Sequence, residues 1–311
     1  MKEFGFLCPG QGAQSVGMGR DLYERNREAK DLFEQADRLL GFQLTQLCFE
    51  GPEEELTRTI NAQVAIFVTS LAVLAYLRAA FPKIRLALAC GLSLGEFSAL
   101  VALESISFEE GLRLVRKRGE LMEEAAQKNP GTMASIFGLS ETDCFAICKE
   151  SEAELANLNS YDQIVISGSV DSVSRACKLA KQKGAKRAIP LKVGGAFHSS
   201  LMSHAKTGLE ETLRKTTIRE PKGTFISNVI GNPVSNSEEI RTLLAKQLTS
   251  PVQWIKTMET VYRLGFKNLL EVGPGRVLKG LAHKIQPELS VTSIEKPSDA
   301  EELKPVLASS Q

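Results

Sequence analysis

Short apolar runs alternate along this chain with longer stretches of amphipathic spacing. The run Phe4–Cys8 stops at a glycine-rich loop, and the spacing over residues 21–40 and 52–80 predicts helices. The run Ile84–Cys90 is again strand-like, and helical spacing resumes over residues 96–103 after a glycine. A strand, a tight glycine turn and a helix in that order predict half of a parallel α/β unit.

The middle of the chain repeats a shorter rhythm. Strand-like and helical segments alternate twice between residues 132 and 193, which gives two consecutive βαβ-like units. Units of this size predict a ferredoxin-like small domain at residues 128–197. Strand and helical segments return beyond it, so residues 1–127 and 198–311 are expected to form one discontinuous large domain with an α/β-hydrolase-like sheet. The predicted fold class is therefore α/β.

The composition is typical of a soluble globular protein, with 43% hydrophobic residues, 24% charged residues and a formal net charge of +1. This balance creates no long-range field for a polyanion, and no Lys/Arg cluster is interleaved with aromatic residues. We therefore expect no nucleic-acid partner. The longest apolar run, around Ala62–Tyr76, contains polar residues and is too short to span a bilayer, so no membrane contact is expected either.

Six cysteines are scattered along the chain without a C-x-x-C pair, and the N-terminus lacks a long apolar signal core. These features favour buried, inert thiols in a reducing cytoplasm. Cys144 and Cys148 are one helical turn apart but have no His or further Cys beside them, so no metal site is expected there. The six are Cys8, Cys48, Cys90, Cys144, Cys148 and Cys177.

Nucleotide-binding motifs are incomplete in the first glycine-rich loop. Gly10–Ser15 places a serine at the third glycine of G-x-G-x-x-G, and Met18 stands where a P-loop spanning Gly12–Gly17 needs a lysine. The zinc motif H-E-x-x-H is also absent from the sequence. The sequence therefore predicts neither a metal nor a nucleotide cofactor, and close backbone approach to a reacting acyl group is one candidate role for these glycines.

The segment Gly91-Leu92-Ser93-Leu94-Gly95 has the G-x-S-x-G spacing of a nucleophile on a sharp strand-to-helix turn. Its glycines leave room for the serine hydroxyl to stand above the sheet, and the backbone N–H of Leu94 can face a tetrahedral oxyanion. The same spacing also arises by chance where Gly and Ser are frequent. Its place in a predicted strand-turn-helix favours the functional interpretation, with Ser93 as an acyl-transfer nucleophile.

A serine nucleophile needs a base, and the chain offers three histidines, His198, His204 and His283. His198 lies in a glycine-rich loop where the chain leaves the small domain for the large one. His204 and His283 fall in helical stretches and are more typical of surface or core residues. His198 is therefore the preferred base, against the alternative of an ordinary loop histidine.

Six short segments are more specific in combination and in order than any one of them alone. They are Cys8-Pro9-Gly10-Gln11-Gly12-Ala13-Gln14, Gly91-Leu92-Ser93-Leu94-Gly95-Glu96-Phe97-Ser98-Ala99-Leu100, Arg116-Lys117-Arg118-Gly119, Ala196-Phe197-His198-Ser199, Gln247-Leu248-Thr249-Ser250-Pro251-Val252-Gln253-Trp254 and Glu271-Val272-Gly273-Pro274-Gly275. Together they resemble the malonyl-CoA:acyl carrier protein transacylases of bacterial fatty acid synthesis. The resemblance spans nearly the whole chain.

The resemblance implies roles for particular residues. It assigns the nucleophile to Ser93 and the general base to His198. The oxyanion hole is carried over to the backbone amides of Gln11 and Leu94. The backbone carbonyl of Gln247, rather than an aspartate, is expected to orient the histidine.

Substrate recognition is implied for Arg118, which matches the family's partner for the malonyl carboxylate. A guanidinium can hold a carboxylate with two parallel hydrogen bonds. Without the resemblance, the run Arg116-Lys117-Arg118 is typical of a solvated helix face. The chain departs from the family at Leu92, where a histidine is usual, and this leaves acyl selectivity and rate open. Phe197 resembles the malonyl-selecting form of its loop.

The function implied by the resemblance is that of a monomeric, cytoplasmic acyltransferase. It takes a malonyl group from malonyl-CoA, carries it as a serine ester and passes it to the phosphopantetheine thiol of acyl carrier protein. No cofactor is expected, because the thioester supplies the activation. The alternatives are a serine hydrolase or thioesterase, an acyltransferase of different acyl selectivity, and a non-catalytic protein that binds a partner.

Overall fold

The computed structural model describes residues 2–303, with the backbone alone for Lys2. Its ten strands are β1 (Lys2–Cys8), β2 (Ile84–Gly91), β3 (Thr132–Phe137), β4 (Glu154–Ser160), β5 (Gln163–Gly168), β6 (Arg187–Pro190), β7 (Thr224–Ser227), β8 (Asn232–Pro233), β9 (Asn268–Val272) and β10 (Ser290–Ile294). The thirteen α-helices of the same residues are α1 (Arg20–Arg25), α2 (Arg27–Leu40), α3 (Leu44–Glu50), α4 (Glu53–Thr57), α5 (Thr59–Ala80), α6 (Gly95–Ala102), α7 (Phe108–Lys128), α8 (Glu141–Ser151), α9 (Val170–Gln182), α10 (Ser203–Arg214), α11 (Ser237–Lys246), α12 (Trp254–Arg263) and α13 (Val277–Ile285). Short 3-10 turns occupy Ser200–Met202, Gln247–Thr249 and Pro297–Glu302.

The larger sheet has the strand order β10-β9-β1-β2-β7-β8. Its first five strands are parallel, and β8 pairs antiparallel with β7 at the edge. Side chains of β1 enter two hydrophobic clusters, Phe4 and Phe6 with α2, α5 and α7, and Leu7 with α12 and α13. The sheet is thus buried on both faces, as is usual for parallel strands. The predicted α/β class is confirmed.

The strand-turn-helix predicted around Ser93 is present, with β2 ending at Gly91 and α6 beginning at Gly95. A Cβ at Gly91 would overlap the backbone of Gly95. A Cβ at Gly95 would in turn overlap the backbone oxygen of Cys8, at the end of β1. The G-x-S-x-G spacing therefore has a steric cause, because the turn packs directly on itself and on the neighbouring strand.

The smaller sheet is antiparallel, with the strand order β4-β5-β3-β6, and α8 and α9 pack against it around a separate hydrophobic cluster. Its chain order, β3-α8-β4-β5-α9-β6, contains the two βαβ-like units predicted between residues 132 and 193. Two backbone hydrogen bonds of 2.9 Å join β4 to Val252, one from the N–H of Leu158 and one to the carbonyl oxygen of Ala156. These bonds fix the small sheet against the segment that leads into α12.

Helix α5 corrects one expectation. It is 22 residues long and contains an 18-residue apolar window with a mean hydropathy of 1.8, and by length and composition it is the one helix of residues 2–303 that could cross a membrane. The prediction that this run is too short was wrong, because Gln63, Thr69 and Ser70 are buried within the helix rather than ending it. Inside the fold, 78% of its apolar window is buried. A helix that is apolar all round is typical of a protein core.

Several elements differ from the sequence expectation. The helix predicted over 52–80 is divided at Arg58 into α4 and α5. Helix α7 and strand β10 were not predicted, because the many charged residues of α7 obscure its apolar stripe and β10 is short.

Five of the cysteines are buried and Cys177 is half-buried, all as free thiols. Burial raises the pKa of the Cys8 thiol to about 12, which makes it unreactive as predicted.

The steric role of the serine turn predicts the effect of Gly95→Ala. The added methyl group has to displace the backbone of β1, so the free energy of unfolding should fall by about 1–3 kcal/mol. Gly280→Ala is the matched control, because a Cβ at this exposed position of α13 meets nothing within 4 Å. It should raise the free energy of unfolding by about 0.5–1 kcal/mol. Urea denaturation measures both, and equal effects at the two positions would contradict the steric account.

Candidate active site

Ser93 stands on the turn between β2 and α6 with a φ of 52°, a left-handed conformation that residues other than glycine rarely adopt. Its Oγ lies 2.9 Å from Nε2 of His198. The fold thus brings together the residues that the sequence selects as nucleophile and base, although they are 105 positions apart in the chain.

A buried asparagine, Asn228, holds the backbone of the serine turn. Its Oδ1 accepts a hydrogen bond of 2.6 Å from the backbone N–H of Ser93, and its Nδ2 donates one of 2.7 Å to the carbonyl oxygen of Gly91. Asn228 directly follows β7, the neighbour of β2 in the sheet. Sequence reasoning missed this residue, because a single asparagine after a strand carries no motif and only the strand order places it beside the turn.

His198 is 5% exposed and also has a left-handed backbone, with a φ of 60°. Its Nδ1 lies 2.9 Å from the carbonyl oxygen of Gln247. Because a carbonyl oxygen can only accept, we assign the ring proton to Nδ1, which leaves Nε2 as an acceptor facing Ser93. Burial and then the nearby charge of Arg118 lower the pKa of His198 to about 4. The imidazole is therefore neutral near pH 7 and able to accept a proton.

Arg118 is 1% exposed, so the interpretation of its basic run as a solvated helix face is wrong for this residue. Its Nη1 donates a hydrogen bond of 2.7 Å to Oε1 of Gln63 on α5. Its Nη2 donates to Oγ of Ser93 at 2.9 Å and to Oε1 of Gln247 at 2.8 Å. Burial lowers the pKa of Arg118 to about 10, so the guanidinium stays charged near neutral pH.

The hydroxyl of Ser93 consequently has a cation on one side and a neutral base on the other. Oγ accepts a hydrogen bond from Arg118 and donates its own proton to His198. Negative charge that develops on Oγ as the proton leaves is stabilised by the guanidinium. This arrangement can generate a serine nucleophile at neutral pH.

Glu96, the second residue of α6, is a fully buried carboxylate in the same network. Its Oε1 accepts a hydrogen bond of 2.6 Å from the backbone N–H of Asn228, and its Oε2 accepts one from Nε2 of Gln247. Burial raises the pKa of Glu96 to about 7, although these hydrogen bonds and the charge of Arg118 act to lower it. The sequence presented Glu96 only as part of the serine motif, and its contacts come from distant segments.

Gln11 and Leu94 lie beside the serine, where the sequence expects an oxyanion hole. Among residues 2–303, neither of their backbone N–H groups has a hydrogen-bond acceptor. A cavity of about 190 Å³ opens next to Ser93, between the first glycine-rich loop and the small sheet. Its walls include Gln11, His198 and Asn159, and Oδ1 of Asn159 is buried without a partner in the part of the chain that the structure describes.

The other sequence candidates lie away from this site. His204 and His283 are exposed, and Nε2 of His204 contacts Glu124 at 3.1 Å. Within residues 2–303, no group of three or more His, Cys, Asp or Glu side chains is arranged to hold a metal ion. A larger cavity of about 660 Å³ lies between α2 and α5, without the serine or the histidine. Ser93 and His198 therefore line the smaller cavity, and Arg118 is hydrogen-bonded to Ser93 beside it.

A serine hydroxyl within hydrogen-bond reach of a neutral histidine, beside a Gly-rich loop, is the arrangement found in enzymes that form acyl-serine intermediates. A model of the acyl transferase domain matches residues 5–289 of the chain. A malonyl CoA-acyl carrier protein transacylase of Bacillus subtilis is 42% identical over 306 residues, which cover 97% of this chain and 96% of that protein. The chain therefore belongs to the malonyl CoA-acyl carrier protein transacylase family of acyltransferases.

Solved structures agree with this assignment. A malonyl CoA-acyl carrier protein transacylase from Clostridium perfringens superposes with a TM-score of 0.94 at 35% identity, and the match covers 99% of this chain and 98% of that one. A malonyl-transacylase in complex with its type II PKS acyl-carrier protein superposes with a TM-score of 0.93 at 37% identity, covering 96% of this chain and 97% of that one. The likeness extends over both sheets.

The contacts of Asn228 predict that Asn228→Ala weakens both the turn and its chemistry. The N–H of Ser93 and the carbonyl of Gly91 would lose buried partners, so the free energy of unfolding should fall by about 1–3 kcal/mol. Acylation of Ser93 by malonyl-CoA should slow as well, because the left-handed turn is no longer held. Asn232→Ala is the control, since the side chain of this half-buried asparagine makes only two long hydrogen bonds, donated to Ile230 at 3.3 Å and accepted from Arg263 at 3.4 Å.

Two measurements check this prediction: urea denaturation and the rate of acylation followed by mass spectrometry of the intact protein. Asn232→Ala should stay within about 0.5 kcal/mol of the unchanged protein. If Asn228→Ala acylates at the unchanged rate, the asparagine does not support the turn in the way described.

Proposed function

We propose that this chain transfers a malonyl group from malonyl-CoA to the phosphopantetheine thiol of acyl carrier protein, in fatty acid biosynthesis. The observation that carries the proposal is the position of Ser93 Oγ, 2.9 Å from the base His198 and 2.9 Å from the guanidinium of Arg118. A nucleophile, a base and a cation for a carboxylate thus meet at one atom. The family, and the complex of a relative with its acyl-carrier protein, support the choice of substrate and partner.

The first half of the reaction acylates the enzyme. His198 removes the proton of Ser93, and Oγ attacks the thioester carbon of malonyl-CoA. The backbone N–H groups of Gln11 and Leu94 receive the oxyanion of the tetrahedral intermediate, and one such donor contributes about 3 kcal/mol. The C–S bond then breaks, the CoA sulfur takes the proton from His198, and a malonyl ester remains on Ser93.

The second half reverses these steps with a new thiol. The phosphopantetheine thiol of the carrier protein gives its proton to His198, and its sulfur attacks the ester carbon. The C–O bond breaks, Ser93 regains the proton and the malonyl thioester leaves with the carrier. We propose that no resident cofactor takes part, because the thioester substrate supplies the activation.

Arg118 is proposed to bind the free carboxylate of the malonyl group. Its guanidinium is buried, so the pairing takes place away from competing water and is stronger than a surface ion pair. The hydrogen bond that Nη2 now gives to Oγ of Ser93 places the cation beside the future ester. Leu92, at the family's usual histidine position, lines the cavity and packs against apolar neighbours, so it provides an apolar wall for the acyl chain.

The domain assignment also belongs to this proposal. We propose a ferredoxin-like small domain at residues 128–197, which the strand order β4-β5-β3-β6 and the chain order β3-α8-β4-β5-α9-β6 support. Residues 1–127 and 198–311 then form an α/β-hydrolase-like large domain, supported by the parallel order β10-β9-β1-β2-β7. We further propose that the protein acts as a cytoplasmic monomer with no nucleic-acid or membrane partner.

The nucleophile is tested by Ser93→Ala, which should abolish both the covalent malonyl adduct and transfer to the carrier protein. Ser98→Ala is the matched control, because this buried hydroxyl of α6 has no hydrogen-bond partner among the described residues. It should keep both activities. Mass spectrometry of the intact proteins after mixing with malonyl-CoA, and of the carrier protein added afterwards, measures both steps. Rapid release of free malonate before the carrier is added would instead identify a hydrolase.

Carboxylate recognition is tested by Arg118→Ala, measured by the rates of Ser93 acylation with malonyl-CoA and with acetyl-CoA. Malonyl loading should fall by about 10- to 100-fold, because a hydrogen bond to a charged group contributes about 1.5–3 kcal/mol. Acetyl loading should fall less, since acetyl has no carboxylate and loses only the effect of the guanidinium on Oγ of Ser93. Arg116→Ala is the control on the same helix, where Arg116 pairs with Glu120 at 3.0 Å. Equal losses for the two substrates would exclude the proposed role of Arg118.

A further inference from the structure

Glu96 is a buried ionisable group that the proposed mechanism does not use. Its carboxylate is fully buried, and both of its oxygens accept hydrogen bonds, one from the backbone of Asn228 and one from the side chain of Gln247. Burying a carboxylate costs free energy unless its oxygens accept hydrogen bonds, so apolar packing alone does not explain why a carboxylate is buried at this position. Its two partners provide a reason, because each of them contacts a residue of the reaction.

Gln247 is the first of these partners, and its side-chain amide has one satisfactory orientation. Its Nε2 donates to Glu96 and to the carbonyl oxygen of Ser93, the latter at 2.9 Å. Its Oε1 accepts from Nη2 of Arg118 at 2.8 Å. A carboxylate only accepts and a guanidinium only donates, so a reversed amide would meet a like group on both sides. Glu96, together with the carbonyl oxygen of Ser93, therefore fixes which atom of Gln247 faces Arg118.

Asn228 is the second partner. Its backbone N–H is fixed on Glu96, while its side chain holds the N–H of Ser93. The same carboxylate thus supports the serine turn through one oxygen and the guanidinium through the other. The His198 ring is held separately, by the backbone carbonyl of Gln247, so a change at Glu96 leaves that hydrogen bond in place.

We propose that the ionised carboxylate of Glu96 is a positioning residue for malonyl recognition: it fixes the amide of Gln247 so that its oxygen holds the Arg118 guanidinium at Ser93. The inference rests on the proposed function, because it assumes that Arg118 receives the malonyl carboxylate. It adds that selectivity for a carboxylate-bearing acyl group depends on a second, anionic residue that does not touch the substrate.

Glu96→Gln is the decisive variant because it keeps the shape and replaces one acceptor by a donor. The backbone N–H of Asn228 cannot turn, so the new amide keeps its oxygen there and presents its NH₂ group to Gln247. If the Gln247 amide keeps its orientation, its NH₂ group faces the NH₂ group of the new glutamine. If it reverses, it presents its NH₂ group to the guanidinium of Arg118. In both cases the guanidinium loses its fixed position.

The experiment measures single-turnover acylation of Ser93 by malonyl-CoA and by acetyl-CoA in the full-length protein. Glu96→Gln should lower the malonyl-to-acetyl rate ratio by about 10-fold or more, the size expected for losing a charged hydrogen bond. In the Arg118→Ala background it should change the ratio by less than about twofold, because the two residues act through one network. Glu271→Gln is the control, since Glu271 is another fully buried carboxylate that accepts backbone N–H bonds, and it lies on β9, two strands away from β2, without a hydrogen bond to the serine network within the described part of the chain.

The malonyl-to-acetyl rate ratio should depend on pH. A purely structural role of Glu96 would give no such dependence. Burial raises the pKa of Glu96 to about 7, so its charge is lost as the pH falls through that value. The titratable groups linked to it electrostatically are Arg118 and Cys90, and through them His198 and Cys8. Between about pH 6 and about pH 8 none of these changes charge, because their pKa values lie near 10, well above 9, near 4 and near 12 in that order.

We therefore expect the malonyl-to-acetyl rate ratio of the unchanged protein to fall as the pH is lowered from about 8 to about 6. The ratio of Glu96→Gln should be low and independent of pH over this range. If circular dichroism shows that Glu96→Gln does not fold, Gln247→Leu tests the same hydrogen-bond network. It removes the side-chain amide of Gln247 and keeps the backbone carbonyl that holds His198. It should lower the ratio to the same extent.

Two results would overturn the inference: an unchanged malonyl-to-acetyl rate ratio in Glu96→Gln, whether or not both rates fall, or the same drop of the ratio in Glu271→Gln. Failure of the underlying function looks different. In that case the unchanged protein itself forms no malonyl ester on Ser93, whereas failure of the inference alone leaves the ester and its malonyl preference intact in Glu96→Gln.

Discussion

The left-handed backbone of Ser93 is the constraint on which the rest of this structure depends. A serine with a φ of 52° is strained, and the fold maintains it by removing side chains on both sides and by placing Asn228 against its N–H. In return, the hydroxyl stands clear of the sheet at the start of α6. The parallel strand order is what makes this possible, because β1 and β7 flank β2 and bring the first glycine-rich loop and Asn228 to the same edge.

The second requirement is a cation that stays charged without water. Arg118 satisfies it with hydrogen bonds from its two terminal nitrogens to two glutamine oxygens and to the serine, while its Nε is buried without a partner among residues 2–303. Its charge also helps to keep His198 neutral, which makes that residue a base rather than an acid at rest. The carboxylate of Glu96 lies on the other side of the Gln247 side chain and compensates the positive charge of Arg118. Ser93, His198 and Arg118, the proposed nucleophile, base and carboxylate partner, are therefore parts of one electrostatic arrangement rather than independent groups.

Features that depend on residues close together in the sequence could be predicted, and features that depend on distant residues could not. The serine turn was predictable, because its G-x-S-x-G pattern lies within five residues, and His198 followed from there being three histidines to choose from. The α/β class followed from hydrophobic periodicity, although α7 was missed under its charges. Arg118 came only from the family resemblance, since its burial depends on Gln63 and Gln247, which are 55 and 129 positions away. Asn228 had no local pattern at all, because strand order alone gives it a role.

The most direct test of the account is a crystal structure of the protein after brief exposure to malonyl-CoA. The account predicts an ester on Oγ of Ser93, with its carbonyl oxygen at the N–H groups of Gln11 and Leu94 and its carboxylate paired with both terminal nitrogens of Arg118. An ester on another residue, or a malonyl carboxylate that points into solvent while Arg118 keeps its present partners, would contradict it.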